Sequence, residues 1–309
     1  MGGGPATRGL RRTRKLLSAN VFPEDGFRLR IMRCHENSPT SRPDRLHSHE
    51  FHELVVVMSG RGMHVTSTEE YALEAGDVFL IRGAAAHAYA QSTELSYVNV
   101  LFDPETLKLT TADLERVPGY HVLFRIEPKL RSQHKLRGCL KLSPEQLAET
   151  SRLIALTEAE LVGRNSGYRF MALTHLMHMI GYLSRCHSRS EEPERRPLMK
   201  MGEVLSYIAK RYTDEITVDE LCEIADMSES SLARAFHSVL GLPPMQYVIN
   251  VRIGKAAELL RRGAASVTDV AFRCGFSDSN YFSRQFRSVA GRSPREYARM
   301  HEGQRDAAS

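Results

Sequence analysis

Two hydrophobic periods divide the chain. Between about Arg28 and Asp103, short apolar runs recur at Leu29–Met32, Leu54–Met58, Met63–Thr66, Val78–Ile81, Ala88–Ala90 and Leu95–Phe102. Turn signals at Ser59–Gly62, Ala75–Asp77 and Arg82–Gly83 separate them. Runs this short, rich in β-branched and aromatic residues, predict strands of an antiparallel barrel or sandwich. After about residue 140 the spacing becomes helical. Ser143-Pro144-Glu145-Gln146 reads as a capping box with proline in the first turn. Leu147, Leu153, Ile154 and Leu161 follow on one face, and a second helix is expected over about Tyr168–His187. The short connection between them predicts an antiparallel pair. The pair either closes the barrel's open end or forms a dimer seam.

Residues 188–197 (SRSEEPERRP) are polar, charged and hold two prolines. They bury little and read as an interdomain linker. From residue 198 to about 302 the pattern is helical throughout. The first 20 residues are Gly-rich and basic, and read as a flexible arm or an auxiliary nucleic-acid contact. The expected organisation is therefore an arm (1–20), a β domain with its helical pair (21–187), a linker (188–197) and an all-α domain (198–302).

The all-α segment contains a repeat. Arg234, Phe236, Val239, Gly241, Pro244 and Tyr247 recur 50 positions later as Arg284, Phe286, Val289, Gly291, Pro294 and Tyr297. Each copy reads as a short helix, a tight turn and a second helix. In the first, Thr217–Glu220 is a capping box, Asp226–Met227 turn the chain and Ser228 caps the next helix. In the second, Ser266 caps, Gly275 supplies the positive φ of the turn, and Ser277 or Asp278 opens the next helix. This is helix-turn-helix geometry, whose second helix enters the major groove of DNA. Helix Pro244–Arg262 joins the copies. Its 19 residues span roughly 28 Å at 1.5 Å each, near the ~34 Å between successive groove faces.

Charge sharpens the picture. The chain has 309 residues and a net charge of +5. Glu229–Met300 alone holds 11 Lys and Arg against five Asp and Glu, a local +6 that suits a phosphate surface. Five scattered cysteines with no CxxC pair argue against a disulfide scaffold or thiolate zinc site and fit a reducing cytoplasm. No apolar run approaches the ~20 residues of a membrane span.

The segment GFSDSNYFSRQFRSVAGRSPREYAR resembles the signature of the AraC/XylS family of bacterial transcription regulators. Gly275, Phe276, Tyr281, Phe282, Phe286, Arg287, Gly291, Ser293, Pro294 and Tyr297 carry the match. The front half is similar to the family's sugar-responsive members, most of all the rhamnose-operon activators. The resemblance implies an α+β two-domain protein: a cupin-like β-barrel with a helical pair, then an all-α double helix-turn-helix. It implies a cytoplasmic, homodimeric, non-enzymatic activator. Its expected partners are double-stranded promoter DNA, RNA polymerase and a small effector such as a monosaccharide.

Mapped residue by residue, the family's reading helices place Ser230, Ser231 and Arg234 in the first copy, and Ser279, Asn280, Ser283 and Arg284 in the second. Arginine bonds guanine with both prongs and asparagine pairs with adenine. Arg252, Arg287 and Arg292 are expected on phosphates. The matched aromatics are expected in the core.

His47, His49, Glu53 and Gly60 match the first cupin motif. Gly76 and His87 match part of the second, with Arg82 and Ala84 replacing its proline and glycine and Gln91 standing for asparagine. In metal cupins His47, His49, Glu53 and His87 would be ligands, a set that suits a divalent transition metal. Three uses stay open: a bound metal, catalytic or not; a metal-free pocket in which these residues bond a sugar's hydroxyls with Phe51 or Tyr89 on its apolar face; or a vestigial site. A DNA-tethered metal-cupin enzyme is therefore the alternative function. His52, of opposite parity, is expected outside.

Overall fold

The computed structural model describes residues 14–35, 46–66, 69–82, 86–133, 139–189, 195–263 and 266–306. The chain divides into two compact units, Met1–Met199 and Lys200–Ser309.

The first unit is built on one eight-stranded curled sheet, a half-barrel. Its strands are β1 (Arg14–Leu16), β2 (Leu29–His35), β3 (His47–His49), β4 (His52–Thr66), β5 (Glu70–Glu74), β6 (Asp77–Ile81), β7 (His87–Phe102) and β8 (Leu140–Lys141). The order runs β1-β3-β7-β4-β6-β8, with β2 also on β7 and β5 also on β4. Among the described residues the two ends of this path do not pair, so the expected barrel is open. The long β4 and β7 form the spine, antiparallel from His52↔Phe102 to Thr66↔His87.

One expected turn is absent and two expected runs merge. Ser59–Gly62 lies inside β4, and the runs at Ala88–Ala90 and Leu95–Phe102 are one strand. The ladder accommodates these residues by slipping register between Val57 and Met63. Gly60 makes this possible. It has φ +75°, and a Cβ there would stand 2.2 Å from the Glu94 carbonyl oxygen. The glycine marks a bulge where two backbones nearly touch, not a reversal.

The two faces of the sheet have different occupants. Leu54, Val56, Val98, Val100 and Phe102 pack against helices α4 (Pro144–Gly163) and α5 (Tyr168–Ser188) through Leu153, Ile154, Leu176, Met179 and Leu183. Val55, Val57, Phe79, Tyr89 and Tyr97 line the inner face. The helical pair thus covers the outer face and does not plug the open end. The Ser143–Gln146 capping box that opens α4 is formed as expected. The unit also holds the shorter helices α1 (Ser18–Val21), α2 (Pro118–His121) and α3 (Glu127–Ser132), the last two joined by a π-helical turn at Val122–Ile126 and preceded by a 3-10 turn at Leu114–Arg116.

Both ends of the expected β domain are tied down further than the sequence implied. Residues 1–13 of the arm and 190–194 of the linker lie outside the described residues. Arg14–Leu16, expected to fray, pairs in parallel with β3, Arg14 opposite His47 and Leu16 opposite His49, and Lys15 forms an ion pair with Glu50. Arg195, expected in a solvated linker, is buried, and its guanidinium donates to Glu127 Oε1 at 2.6 Å. His187 Nε2 lies 2.9 Å from the same oxygen.

The second unit is helical: α6 (Arg196–Arg211, straddling the boundary), α7 (Val218–Ala225), α8 (Glu229–Leu240), α9 (Pro244–Arg262), α10 (Val267–Arg273), α11 (Ser279–Ala290) and α12 (Pro294–Asp306). The expected caps are present. Thr217 and Glu220 make the capping box of α7, Ser228 caps α8, Ser266 caps α10 and Asp278 caps α11. Leu232 and Phe236 on α8, and Phe282 and Phe286 on α11, are fully buried, which fixes the opposite faces outward.

Candidate functional site

In the second unit, the buried stripes decide what α8 and α11 can present. With Leu232 and Phe236 turned inward, Ser230 and Arg234 are exposed and Ser231 is half-buried. With Phe282 and Phe286 inward, Asn280, Arg284 and Arg287 are exposed, and Ser279 and Ser283 are half-buried. Arg234 and Arg284 occupy the same position on the two helices. Each has a local contact that orients it: Arg234 donates to Ser231 Oγ at 3.2 Å, and the Arg284 guanidinium lies 5.9 Å from the Tyr281 ring. Ser283 donates its hydroxyl to the Ser279 carbonyl, so that proton is already used within the helix. The Ser228 side chain accepts from the Ser231 N–H at the start of α8, and the Asp278 carboxylate accepts from the Asn280 and Tyr281 N–H groups at the start of α11. Arg292, expected on phosphate, is exposed.

Arg252 requires a correction. Its Nε donates to the Tyr212 carbonyl and one Nη to the Asp214 carbonyl, each at 2.7 Å. The guanidinium also lies over the Phe276 ring. Half-buried and committed to two backbone acceptors, it braces the 212–214 turn rather than holding phosphate. Gly275 faces the same turn with φ +82°, and a Cβ there would meet the Tyr212 and Thr213 carbonyl oxygens at 2.8 Å. Phe236, Phe276, Phe286 and Tyr247 are buried and Tyr297 is half-buried, so the matched aromatics form core.

In the first unit, His47, His49, Glu53 and His87 come together with one donor atom each within 4.8 Å of the others. The register explains how. His47 and His49 share a face of β3, and His47 stands opposite His87 on β7. The strand does not run unbroken to Glu53, because Glu50 and Phe51 bend the chain before β4 begins. Glu53 then enters on the inner face beside Val55. His52 points to the other face, as its parity predicts. It is half-buried there, its ring packing edge-on against Phe102 at 5.3 Å.

Three of the four are buried, with Glu53 2%, His49 0% and His87 1% exposed, and His47 is half-buried. His49 Nε2 lies 2.8 Å from Glu53 Oε2, and His87 Nε2 lies 3.5 Å from the same oxygen. Burial raises the Glu53 pKa, and the His49 and His87 contacts overcome it, holding the carboxyl well below its usual range. Tyr89 donates its hydroxyl to Glu53 Oε1 at 3.3 Å. Phe51 stacks flat on His49 at 4.2 Å and is sealed behind by Phe22. It forms a wall of the cluster.

His49 has a further property. Its Nδ1 lies 2.9 Å from the Phe51 carbonyl oxygen while Nε2 faces the Glu53 carboxylate. Both neighbours are acceptors, and a neutral imidazole has one N–H. A cation bound by both Nε2 and Glu53, with Nδ1–H donating to the carbonyl, would satisfy both sides of the ring, which is the usual outer-sphere support of a metal-bound histidine. Three imidazoles and one carboxylate in this arrangement fit a divalent transition metal. Of the remaining second-motif positions, Ala84 and the Gln91 side chain lie outside the described residues.

Sequence reading missed His64 and Arg131. His64 is 2% exposed, rings with Tyr71, Phe79, His87 and Tyr89, and has no hydrogen-bond partner on either ring nitrogen among the described residues. Arg131, on α3, lies over Phe79 at 4.8 Å. Both line a cavity of about 100 Å³ that His87 also borders. A larger groove of about 310 Å³, between residues 20–31 and α4–α5, contains none of the expected effector residues.

Residues 31–162 match the family described as AraC-like ligand binding domain, and residues 221–300 match a helix-turn-helix domain. The HTH-type transcriptional activator RhaS of Escherichia coli (strain SE11) is 30% identical over 257 residues, covering 83% of this chain and 88% of that protein. The chain belongs to the AraC family. It is accordingly a DNA-binding transcription regulator with an AraC-like ligand-binding domain. RhaS of Shigella sonnei (strain Ss046) is also 30% identical over the same shares of both chains. Among solved structures, a probable AraC family transcriptional regulator from Rhodopseudomonas palustris CGA009 is 31% identical, covering 33% of this chain and 96% of that one, with a TM-score of 0.31. No helix of the described residues is long and apolar enough to cross a membrane.

Proposed function

We propose that this AraC family member is a transcription activator that switches on a promoter when a small molecule, a monosaccharide in the first instance, binds in its half-barrel. The observation that carries the DNA half of this reading is the equivalent exposure of Arg234 and Arg284 on two capped helices of one chain. Two reading helices per chain call for a directional site spanning two successive major grooves. Arg234, Arg284 and Asn280 read bases, helped by Ser230, Ser231 and Ser279. Arg287 and Arg292 anchor phosphates. The activator role follows the naming of the 30%-identical relatives and implies a contact with RNA polymerase.

The effector half rests on the cluster. Glu53 and the imidazoles of His47, His49 and His87 offer acceptors and donors for vicinal hydroxyls beside the Tyr89 ring. A second reading of the same residues is favoured by the two acceptors around His49: they hold a divalent metal, which would present a Lewis-acidic site to a bound ligand's oxygens. The α4–α5 pair, whose tip exposes Val162 and Phe170, is the surface through which two copies pair.

The test is a nuclease footprint on promoter DNA with and without candidate sugars. Protection of two adjacent grooves per protomer, altered by a sugar in the wild type and not in Glu53→Gln, supports the reading. Protection of one groove per protomer refutes the two-helix reading, and indifference of both proteins to every ligand refutes the sensor.

A further inference from the structure

The cavity beside the cluster has a charge pattern that a neutral sugar does not use. Its lining includes the guanidiniums of Arg82 and Arg131 and the imidazoles of His64 and His87, and no acidic side chain among the described residues. Arg131 is 5% exposed. The nearest carboxylate on its own helix, Glu127 one turn earlier, is also bonded by Arg195 and His187. One buried carboxylate therefore lies near two buried guanidiniums, one of which, Arg131, lines the cavity. Arg82 adds a second cation at the rim, held there by its bond to the Phe124 carbonyl at 3.0 Å.

His64 gives the independent sign of a ligand. A fully buried imidazole with neither nitrogen bonded loses the hydrogen bonds that water would give it. Buried polar groups left this way mark functional positions or an absent partner. Here the ring borders a cavity. An imidazole has at least one N–H to donate whichever tautomer it holds.

We propose that this cavity is an anion subsite that takes the carboxylate of a small organic acid, which makes the effector of the sensor domain an acid. The inference rests on the reading of the half-barrel as a sensor. A carboxylate matches the guanidinium fork of Arg131 and accepts from His64. At about 100 Å³ the space is smaller than the ~150 Å³ cavity that encloses benzene. It takes the carboxylate end of a ligand, not a whole sugar ring. Leu80, Ile81 and Pro128 supply apolar wall, which suits the carbon adjoining a carboxylate better than a bare inorganic ion. The hydroxyl-bearing remainder is then free to meet His87 and the cluster, so a hydroxy acid or sugar acid satisfies both sets of groups.

The test uses the full-length protein and two matched pairs of probes: lactate with lactamide, and glucuronate with glucose. Binding is followed by calorimetry and thermal denaturation. At least one acid should raise Tm by about 5 °C near saturation while its neutral partner does not. Arg131→Gln should weaken acid binding about tenfold or more, and His64→Phe about threefold. Should Arg131→Gln fail to give a native circular dichroism spectrum, His64→Phe and Arg82→Gln carry the comparison. Equal binding of acid and neutral partners, acid binding indifferent to these substitutions, or no response to either acid at about 10 mM would overturn the proposal. Glucose binding that is lost in Glu53→Gln but kept in Arg131→Gln would overturn the anion subsite and leave the sensor standing. If no probe of either kind binds or changes DNA affinity, both fall.

Discussion

Replacing Gly275 by alanine tests how the second reading helix is held. Two costs can be separated there. The backbone sits at φ +82°, where an L-residue costs about 1–2 kcal/mol relative to glycine. The added methyl would also stand 2.8 Å from both the Tyr212 and Thr213 carbonyl oxygens. Backbone atoms cannot rotate away, so the turn must shift, and such overpacking costs about 1–3 kcal/mol. The sum is about 2–5 kcal/mol. Gly241 is the control. It has φ +77°, yet nothing lies within 4 Å of a Cβ placed there, so Gly241→Ala should lose only the backbone part, about 1–2 kcal/mol. Urea unfolding of the full chain, followed by a probe in the second unit, measures both. DNA affinity adds a functional readout, because the 212–214 turn is also braced by Arg252 and lies against the turn before α11. Gly275→Ala should therefore weaken DNA binding at temperatures where Gly241→Ala still binds. If the two variants lose equal stability within about 0.5 kcal/mol, the close approach contributes nothing and the reasoning is wrong.

Other outcomes follow from single contacts. Arg284→Ala should relax specificity at one base pair at a cost of about 1–3 kcal/mol, whereas Arg287→Ala should weaken all sequences alike and lower the salt slope by about one unit; identical behaviour across a panel of mutated sites would refute the assignment of reader and anchor. Arg252→Ala should lower the unfolding midpoint of the second unit and leave the salt slope unchanged, because its donors serve backbone carbonyls; a slope reduced by about one would restore it as a phosphate contact. Burial and the nearby Arg125 push His121 from 6.5 down to about 3, so the unfolded chain takes up a proton below pH 6.5 that the folded chain refuses, and stability is lost as pH falls from 6.5 toward 3. Between about pH 8 and pH 5 the loss from this residue is about 2 kcal/mol, read as the difference in pH dependence between wild type and His121→Gln. Dialysis against zinc, nickel or manganese followed by metal analysis should leave about one ion per chain, lost in His49→Ala; no retained ion in the wild type would refute the metal reading.

The helical half was legible because its signals are local. A capping box, an αL glycine and a 3.6-residue stripe act within one turn of chain, so α7, α8, α9 and α11 begin and end where their caps stand. The strands were less legible because their partners are distant. Ser59-Gly60-Arg61-Gly62 has the composition of a turn, and only the approach of Glu94 on β7 makes it a bulge. β5 was missed because it is held by the far half of β4 and carries no long apolar run. The barrel closure inferred from the resemblance depends on edge pairing, which no local pattern encodes.

The same distinction governs the site. His47, His49, Glu53 and His87 carried a motif, and cross-strand register does bring them together, although the chain bends between His49 and Glu53 instead of alternating through. His64 carried no motif, and counting alternate residues from Glu53 assigns it to the wrong face. The bulges between Val57 and Met63 reverse the parity, so that an even-numbered residue joins the odd-numbered Val55 and Val57 on the inner face. Arg131 comes from α3, some 40 residues beyond the nearest strand residue of the cluster, and only the packing of α3 brings its guanidinium over Phe79. Arg252 erred in the other direction. An arginine in the middle of a linker helix, among basic neighbours, reads as a phosphate contact, and nothing in its own segment shows that the carbonyls of Tyr212 and Asp214 are waiting 40 residues upstream. Spacing finds a group of residues when they share one strand or one helix. Where a site is completed by a bulge or by a distant carbonyl, the residue type is visible and its direction is not, and direction separates a ligand from a brace.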